Sequence, residues 1–131
     1  VKDSSYNLFE KLKLENFSLM PGSESKLLKG LELGCSGIIT ATCNVTAQLA
    51  RRVYDDFFSG KEQMYNQKLI HVRNAFEKYN LISALHTFKS KEDKIYENVL
   101  PPLGLLDRES ENNLMENLRK LDFQIKSKLA A

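Results

Sequence analysis

The chain has 131 residues, enough for one domain with a buried core. It is 42% hydrophobic and 27% charged, and its 19 basic and 17 acidic residues leave a net charge of only +2. That balance gives no electrostatic ground for a nucleic-acid or anionic-membrane partner, and no apolar run approaches the roughly 18 residues of a membrane helix.

Residues 7–14 predict a short helix, with Leu8, Phe9 and Leu12 on one side. Residues 17–20 are a short apolar run stopped by Pro21-Gly22, which predicts a buried strand and a turn. Ser23 or Ser25 can cap the next helix, with Glu24 near its positive end. Leu27, Leu28 and Leu31 form its apolar face, and Gly34 suits a left-handed stop. Residues 37–41 are short, β-branched and uncharged, as in a strand buried on both faces. Asn44 is the expected cap of a helix bearing Val45, Leu49, Val53 and Phe57, closed by Ser59-Gly60. With Val1-Lys2 read as the end of a strand, this alternation predicts βαβ units and a parallel sheet.

From Lys61 the pattern turns helical. Tyr65, Leu69, Val72, Phe76 and Tyr79 mark one long amphipathic helix, and residues 81–88 another after Asn80. Pro101-Pro102 cannot lie inside a helix. Asp107 caps a last helix whose apolar face is Leu114, Leu118, Leu121 and Ile125. The expected organisation is a β/α part over residues 1–59 and a helical part over 60–131. A sheet this small has open edges, so the expectation is that a preceding half or another chain completes it.

Reactive groups of β/α barrels sit at the C-terminal ends of strands. The ends readable here are Lys2-Asp3-Ser4-Ser5, Pro21-Gly22-Ser23-Glu24 and Thr40-Ala41-Thr42-Cys43-Asn44. A lysine at the end of an internal strand is desolvated, which keeps an amine neutral and able to attack a carbonyl. On the residues alone, a surface terminal lysine is the simpler reading of Lys2. Gly22 allows a backbone to approach a ligand, and Ser23 and Glu24 offer a hydroxyl and a carboxylate; a plain turn and cap would use the same letters. Residues 39–42 could line the same mouth. His71 and His86 lack partners at metal-ligand spacing, so no metal is expected. No glycine-rich nucleotide loop occurs, and no cofactor is expected. Cys35 and Cys43 are too few for a disulfide framework and read as buried thiols in a reducing compartment, with the cytoplasm as the expected location.

Taken together, the strand ends resemble the C-terminal half of the dihydrodipicolinate synthase / N-acetylneuraminate lyase family, the pyruvate-dependent class I aldolases. Val1-Lys2-Asp3-Ser4-Ser5-Tyr6-Asn7 is similar to that family's sixth-strand motif. Met20-Pro21-Gly22-Ser23-Glu24 falls at its seventh-strand motif. The run from Leu33-Gly34 through Gly37-Ile38-Ile39 to Asn44-Val45 is similar to its eighth-strand signature. The spacing between these motifs, the helical tail, Pro101-Pro102 and the Asp107-capped last helix extend the resemblance over nearly the whole chain.

The resemblance implies an α/β fold in which this chain is strands six to eight of a (β/α)8 TIM barrel followed by a helical C-terminal region. It makes Lys2 the Schiff-base lysine that attacks pyruvate or another 2-keto acid. It implies that Gly22 and the Ile39 carbonyl shape the pocket, while Ser4, Ser23 and Glu24 face substrate hydroxyls. The family's proton-shuttling Tyr and carboxylate-binding motif belong to earlier strands. Pro21-Gly22-Ser23-Glu24 stands where the synthases carry Ser-Gly-Asp-Asp, and residues 81–85 replace their Pro-Asn-Pro. Those departures favour an aldolase or lyase of 2-keto-3-deoxy sugar acids. The alternatives are a dihydrodipicolinate synthase of lysine biosynthesis and a non-catalytic relative that binds a keto acid or sugar acid. A homo-oligomer, dimer or tetramer, is the expected assembly, and the fragment alone is expected to be inactive.

Overall fold

Pro21 sets how far the sheet extends. The computed structural model describes residues 1–4, 7–12 and 15–124, and the chain divides into two compact units, Val1–Arg73 and Asn74–Ala131. In the first unit β1 (Lys2–Asp3) and β2 (Met20–Pro21) pair in parallel, with Lys2 opposite Met20 and Asp3 opposite Pro21. The Met20 amide donates to the Val1 carbonyl at 2.9 Å, and the Gly22 amide to the Asp3 carbonyl at 2.7 Å. The strand expected over residues 17–20 thus begins only at Met20 and takes in Pro21 instead of stopping before it.

On its other edge β2 only accepts. The Leu19 and Pro21 carbonyls take the amides of Ser36 and Ile39 at 3.2 and 3.1 Å. Residues 37–41 therefore run beside β2 without forming the regular strand expected of them. There is a physical reason for this correction. One residue separates the two acceptors but two separate the donors, so the segment bulges, and Gly37 takes φ 147° to absorb the extra residue. Pro21 also has no N–H to return to the neighbouring segment. The helix expected over residues 7–14 is a single 3-10 turn at Leu8–Glu10 that buries Phe9; positions 13 and 14 lie outside the described residues.

Ser23 caps the next helix as expected, its hydroxyl accepting from the Ser25 amide. A 3-10 turn at Glu24–Lys26 leads into α1 (Leu27–Glu32), and Gly34 follows with φ 86°. α2 (Cys43–Phe58) starts earlier than expected. Asn44 is inside its first turn, with its side-chain amide donating to the Ala41 carbonyl at 2.8 Å. The capping acceptor is the Thr40 hydroxyl, which takes the Cys43 amide at 3.1 Å. Gly60, with φ 64°, ends the helix. α3 (Asn66–Glu77) falls within the helix expected from Tyr65 to Tyr79. Leu27, Leu31, Ala50, Val53 and Leu69 form the main core of this unit, flanked by Ile38, Leu49, Tyr54 and Phe57. Phe9, Leu19 and Cys35 form a smaller one.

In the second unit, α4 (Leu81–Ser90) is capped by Asn80, which accepts from the Ser83 amide at 3.1 Å. α5 (Arg108–Lys120) is capped as expected by Asp107, which accepts from the Ser110 amide at 2.9 Å. α4 packs on α5, and Leu114 and Leu118 are buried. Phe88 meets Phe76 edge-on at 5.5 Å and stacks on Phe123 at 5.8 Å. Pro101-Pro102 lies outside any helix, and the Leu106 amide donates to the buried Thr87 hydroxyl at 2.9 Å. Ile125, expected on the last apolar face, is outside the described residues. Among the described residues, no helix is long and apolar enough to cross a membrane.

Candidate functional site

The parallel pairing of β1 and β2 puts Lys2, Ser4 and Gly22 side by side. The close approach depends on glycine. A Cβ added at Gly22 would lie 3.0 Å from the Asp3 carbonyl oxygen, 3.1 Å from the Ser4 Cα and 3.5 Å from the Lys2 Cε. The tight contacts are both backbone, and the lysine stem passes beside Gly22 at ordinary van der Waals distance. Lys2 and Ser4 are exposed, whereas Asp3 between them is buried, its carboxylate accepting the Phe9 amide at 3.3 Å. That alternation is the strand period at work: one face buries Asp3 and the other presents its neighbours.

Ile39 is tied to the same place by its amide bond to the Pro21 carbonyl, and its side chain is exposed. Ser23 stands at the start of the turn, its hydroxyl 2.9 Å from that of Ser25. The structure thus brings Lys2, Ser4, Gly22, Ser23 and Ile39 to the end of the short sheet.

Glu24, expected to face substrate hydroxyls, is engaged by groups of the chain itself. It is 0% exposed, and both carboxylate oxygens are occupied. Oε1 accepts the Thr40 hydroxyl at 2.6 Å and the Thr46 hydroxyl at 2.9 Å. Oε2 accepts from Thr42 at 3.2 Å and from Arg73 at 3.3 Å. The same Arg73 nitrogen donates to the Thr42 hydroxyl at 2.5 Å. Sequence reasoning missed Arg73 and Thr46, and had Thr40 and Thr42 only among residues lining the mouth. Their signal was nevertheless in the chain: Arg73 shares the α3 face of Leu69, Val72 and Phe76, where a charge is out of place unless it has a buried partner.

Both cysteines are free thiols. Burial pushes the Cys43 thiol above its usual range, and burial with the Asp3 charge raises that of Cys35. Protonated thiols are poor nucleophiles. Among the described residues, no cluster of His, Cys, Asp and Glu is placed to hold a metal ion.

Comparison with known proteins gives this geometry a setting. The Dihydrodipicolinate synthetase family matches residues 1–121. Solved structures with a similar fold include a Sulfolobus 2-keto-3-deoxygluconate aldolase in complex with D-KDPG. It has a TM-score of 0.80 at 17% identity, over 92% of this chain and 44% of that one. Dihydrodipicolinate synthase DapA-2 of Bacillus anthracis has a TM-score of 0.74 at 20% identity, over 86% of this chain and 39% of its own. Dihydrodipicolinate synthase of Agrobacterium tumefaciens has a TM-score of 0.74 at 23% identity, over 92% of this chain and 42% of its own. The chain thus spans well under half the length of these structures. No curated protein matches the sequence.

Proposed function

The chain belongs to the dihydrodipicolinate synthetase family, and on that premise we propose that it carries the nucleophile of a Schiff-base-forming class I aldolase. In this reading it supplies strands six to eight of a (β/α)8 barrel, with Lys2 as the imine-forming lysine. The substrate is a pyruvate-derived 2-keto acid, by preference a 2-keto-3-deoxy sugar acid. The supporting observation is that the Lys2 stem passes beside Gly22, at a strand end where the backbone is bare.

The chemistry follows from that placement. The Lys2 amine adds to the C2 carbonyl, and loss of water gives a protonated imine. As C3–C4 breaks, its electron pair flows into the imine and leaves an enamine, while the C4 hydroxyl gives up its proton and departs as an aldehyde. Protonation at C3 and hydrolysis of the imine release pyruvate and the free lysine. Gly22 and the Ile39 backbone form the wall against the keto acid, and Ser4 and Ser23 supply hydroxyls to the rest of the chain of the substrate. Proton transfer falls to residues outside this chain. A homo-oligomeric, cytoplasmic enzyme is the setting that goes with this reading.

The test is reduction of the full-length protein with borohydride in the presence of pyruvate, followed by intact-mass measurement and peptide mapping. The expected result is a reduced pyruvyl adduct on Lys2, absent from Lys2→Ala. No adduct, or one on another residue, overturns the assignment. Saturable keto-acid binding without an adduct would point to a non-catalytic relative. Among catalysts, cleavage of 2-keto-3-deoxygluconate supports the sugar-acid preference. Condensation of pyruvate with aspartate semialdehyde would instead make the protein a synthase.

A further inference from the structure

The polar cluster around Glu24 has no role in the chemistry just described. It lies inside the first unit, with Glu24 0% and Arg73 8% exposed. A buried carboxylate is costly unless it is paired and hydrogen-bonded, and this one has both a guanidinium and several hydroxyls. Those bonds join segments that are far apart in the chain. Glu24 lies just beyond Gly22, whose backbone packs against the Lys2 strand. Thr40 follows Ile39 directly, in the segment that fails to form a regular strand, and Thr42 leads into α2. Arg73 reaches both Glu24 and Thr42 from α3.

We propose that Arg73 and Glu24 are positioning residues, which act through Thr40 and Thr42 to hold the Gly22 and Ile39 backbones in fixed register beside Lys2. The cluster does what a regular ladder does elsewhere: with Pro21 donating nothing and Gly37 bulging, side chains set the spacing of the pocket walls. The proposal rests on the aldolase reading above. Under it Glu24 does not touch substrate hydroxyls, because its oxygens are already engaged, and that contact is left to Ser4 and Ser23.

The test uses Thr42→Val, Glu24→Gln and Arg73→Lys in the full-length protein. Thr42→Val leaves both charges in place, so it keeps the test alive if the charge variants fold poorly. Two quantities are measured. One is the rate at which pyruvate forms the borohydride-trapped adduct on Lys2. The other is the ratio of kcat/KM for a 2-keto-3-deoxy sugar acid to that for an analogue lacking the hydroxyls beyond C4. Small displacements of positioned groups cost about tenfold to a hundredfold in rate. Thr42→Val and Glu24→Gln are expected to slow adduct formation on that scale, with Arg73→Lys intermediate, and to leave the substrate ratio unchanged. An unchanged adduct rate in variants that only melt earlier reduces the cluster to a structural one and overturns the proposal. So does a Glu24→Gln loss confined to the hydroxylated substrate, which would make Glu24 a substrate ligand. If the unaltered protein forms no adduct, the aldolase reading falls and the positioning role with it. A normal adduct in the unaltered protein and in all variants overturns the positioning role alone.

Discussion

At position 22 the requirement is for space. A Cβ there would meet two backbone atoms, the Asp3 carbonyl oxygen at 3.0 Å and the Ser4 Cα at 3.1 Å. Neither can swing aside as a side chain could, so β1 and β2 must part by a few tenths of an ångström. Gly22→Ala is expected to lose about 1–3 kcal/mol of stability, the usual scale of overpacking, and to slow formation of the Lys2 adduct by at least about tenfold. Denaturant melts and adduct kinetics on the full-length protein check the two effects separately. The Glu24–Arg73 pair sets a different rule. Removing one member of a buried pair costs about 3–5 kcal/mol, because the other charge is left without its partner. Arg73→Met alone should therefore be strongly destabilising. The Glu24→Gln, Arg73→Met double variant should lose less than the sum of the single losses, with a coupling of about 0.5–3 kcal/mol. Additive losses in a double-mutant cycle would mean the two side chains do not act as a pair.

The helix starts and stops show which elements could be read in advance. Asp107 accepts from the Ser110 amide at 2.9 Å and also from the Ser110 hydroxyl at 3.1 Å. Those bonds hold its carboxyl below the usual carboxylate range. A depressed folded-state pKa means that the cap contributes fully above the unfolded-state value. The contribution is lost as pH falls through the folded-state one. Asp107→Ala should lower the melting temperature at pH 7, with the difference from the unaltered protein shrinking in acid. Asp107→Asn keeps an acceptor and should hold most of the stability while losing that acid dependence. Thermal melts of the three proteins from pH 7 down to about pH 3, just below the ordinary aspartate value, decide it. Caps such as Asp107 and Ser23 were legible because a side chain bonds its own backbone a few residues on. Gly34 and Gly60 were legible because their φ angles of 86° and 64° favour glycine. The segment over residues 37–41 was not, because its letters report burial and β-branching, whereas its backbone is governed by what β2 can offer across the gap. The site divides in the same way. Lys2 and Gly22 were legible at strand ends, whereas Ile39 sits in the segment that forms no regular strand, and the burial of Glu24 involves Arg73, remote in the chain and visible only as a charge on an apolar helix face.

At the scale of the whole molecule, the sheet is too small to protect the amine it presents. Among the described residues β1 has β2 as its one strand partner, so its outer edge is open. Parallel strands are normally covered on both faces and flanked by further strands. Ile39 is 48% exposed and Phe17 50% exposed, apolar surface left open near the sheet. The chain also aligns with only 37–46% of the length of its solved relatives. Imine formation needs a desolvated amine and a closed pocket, and Lys2 is exposed in this chain. The 131-residue chain on its own is therefore expected to form the pyruvyl adduct far more slowly than the full-length protein. In the barrel reading proposed above, supplying a preceding barrel segment as a separate polypeptide should raise the midpoint of denaturant unfolding, and it should steepen the transition, since more surface is then buried per cooperative unit. Adduct formation on Lys2 should recover in step with that gain. Equal adduct rates for the lone chain and the assembled protein would show that the strand ends of this chain suffice for the imine. The open edge of β1 would then have no part in the chemistry.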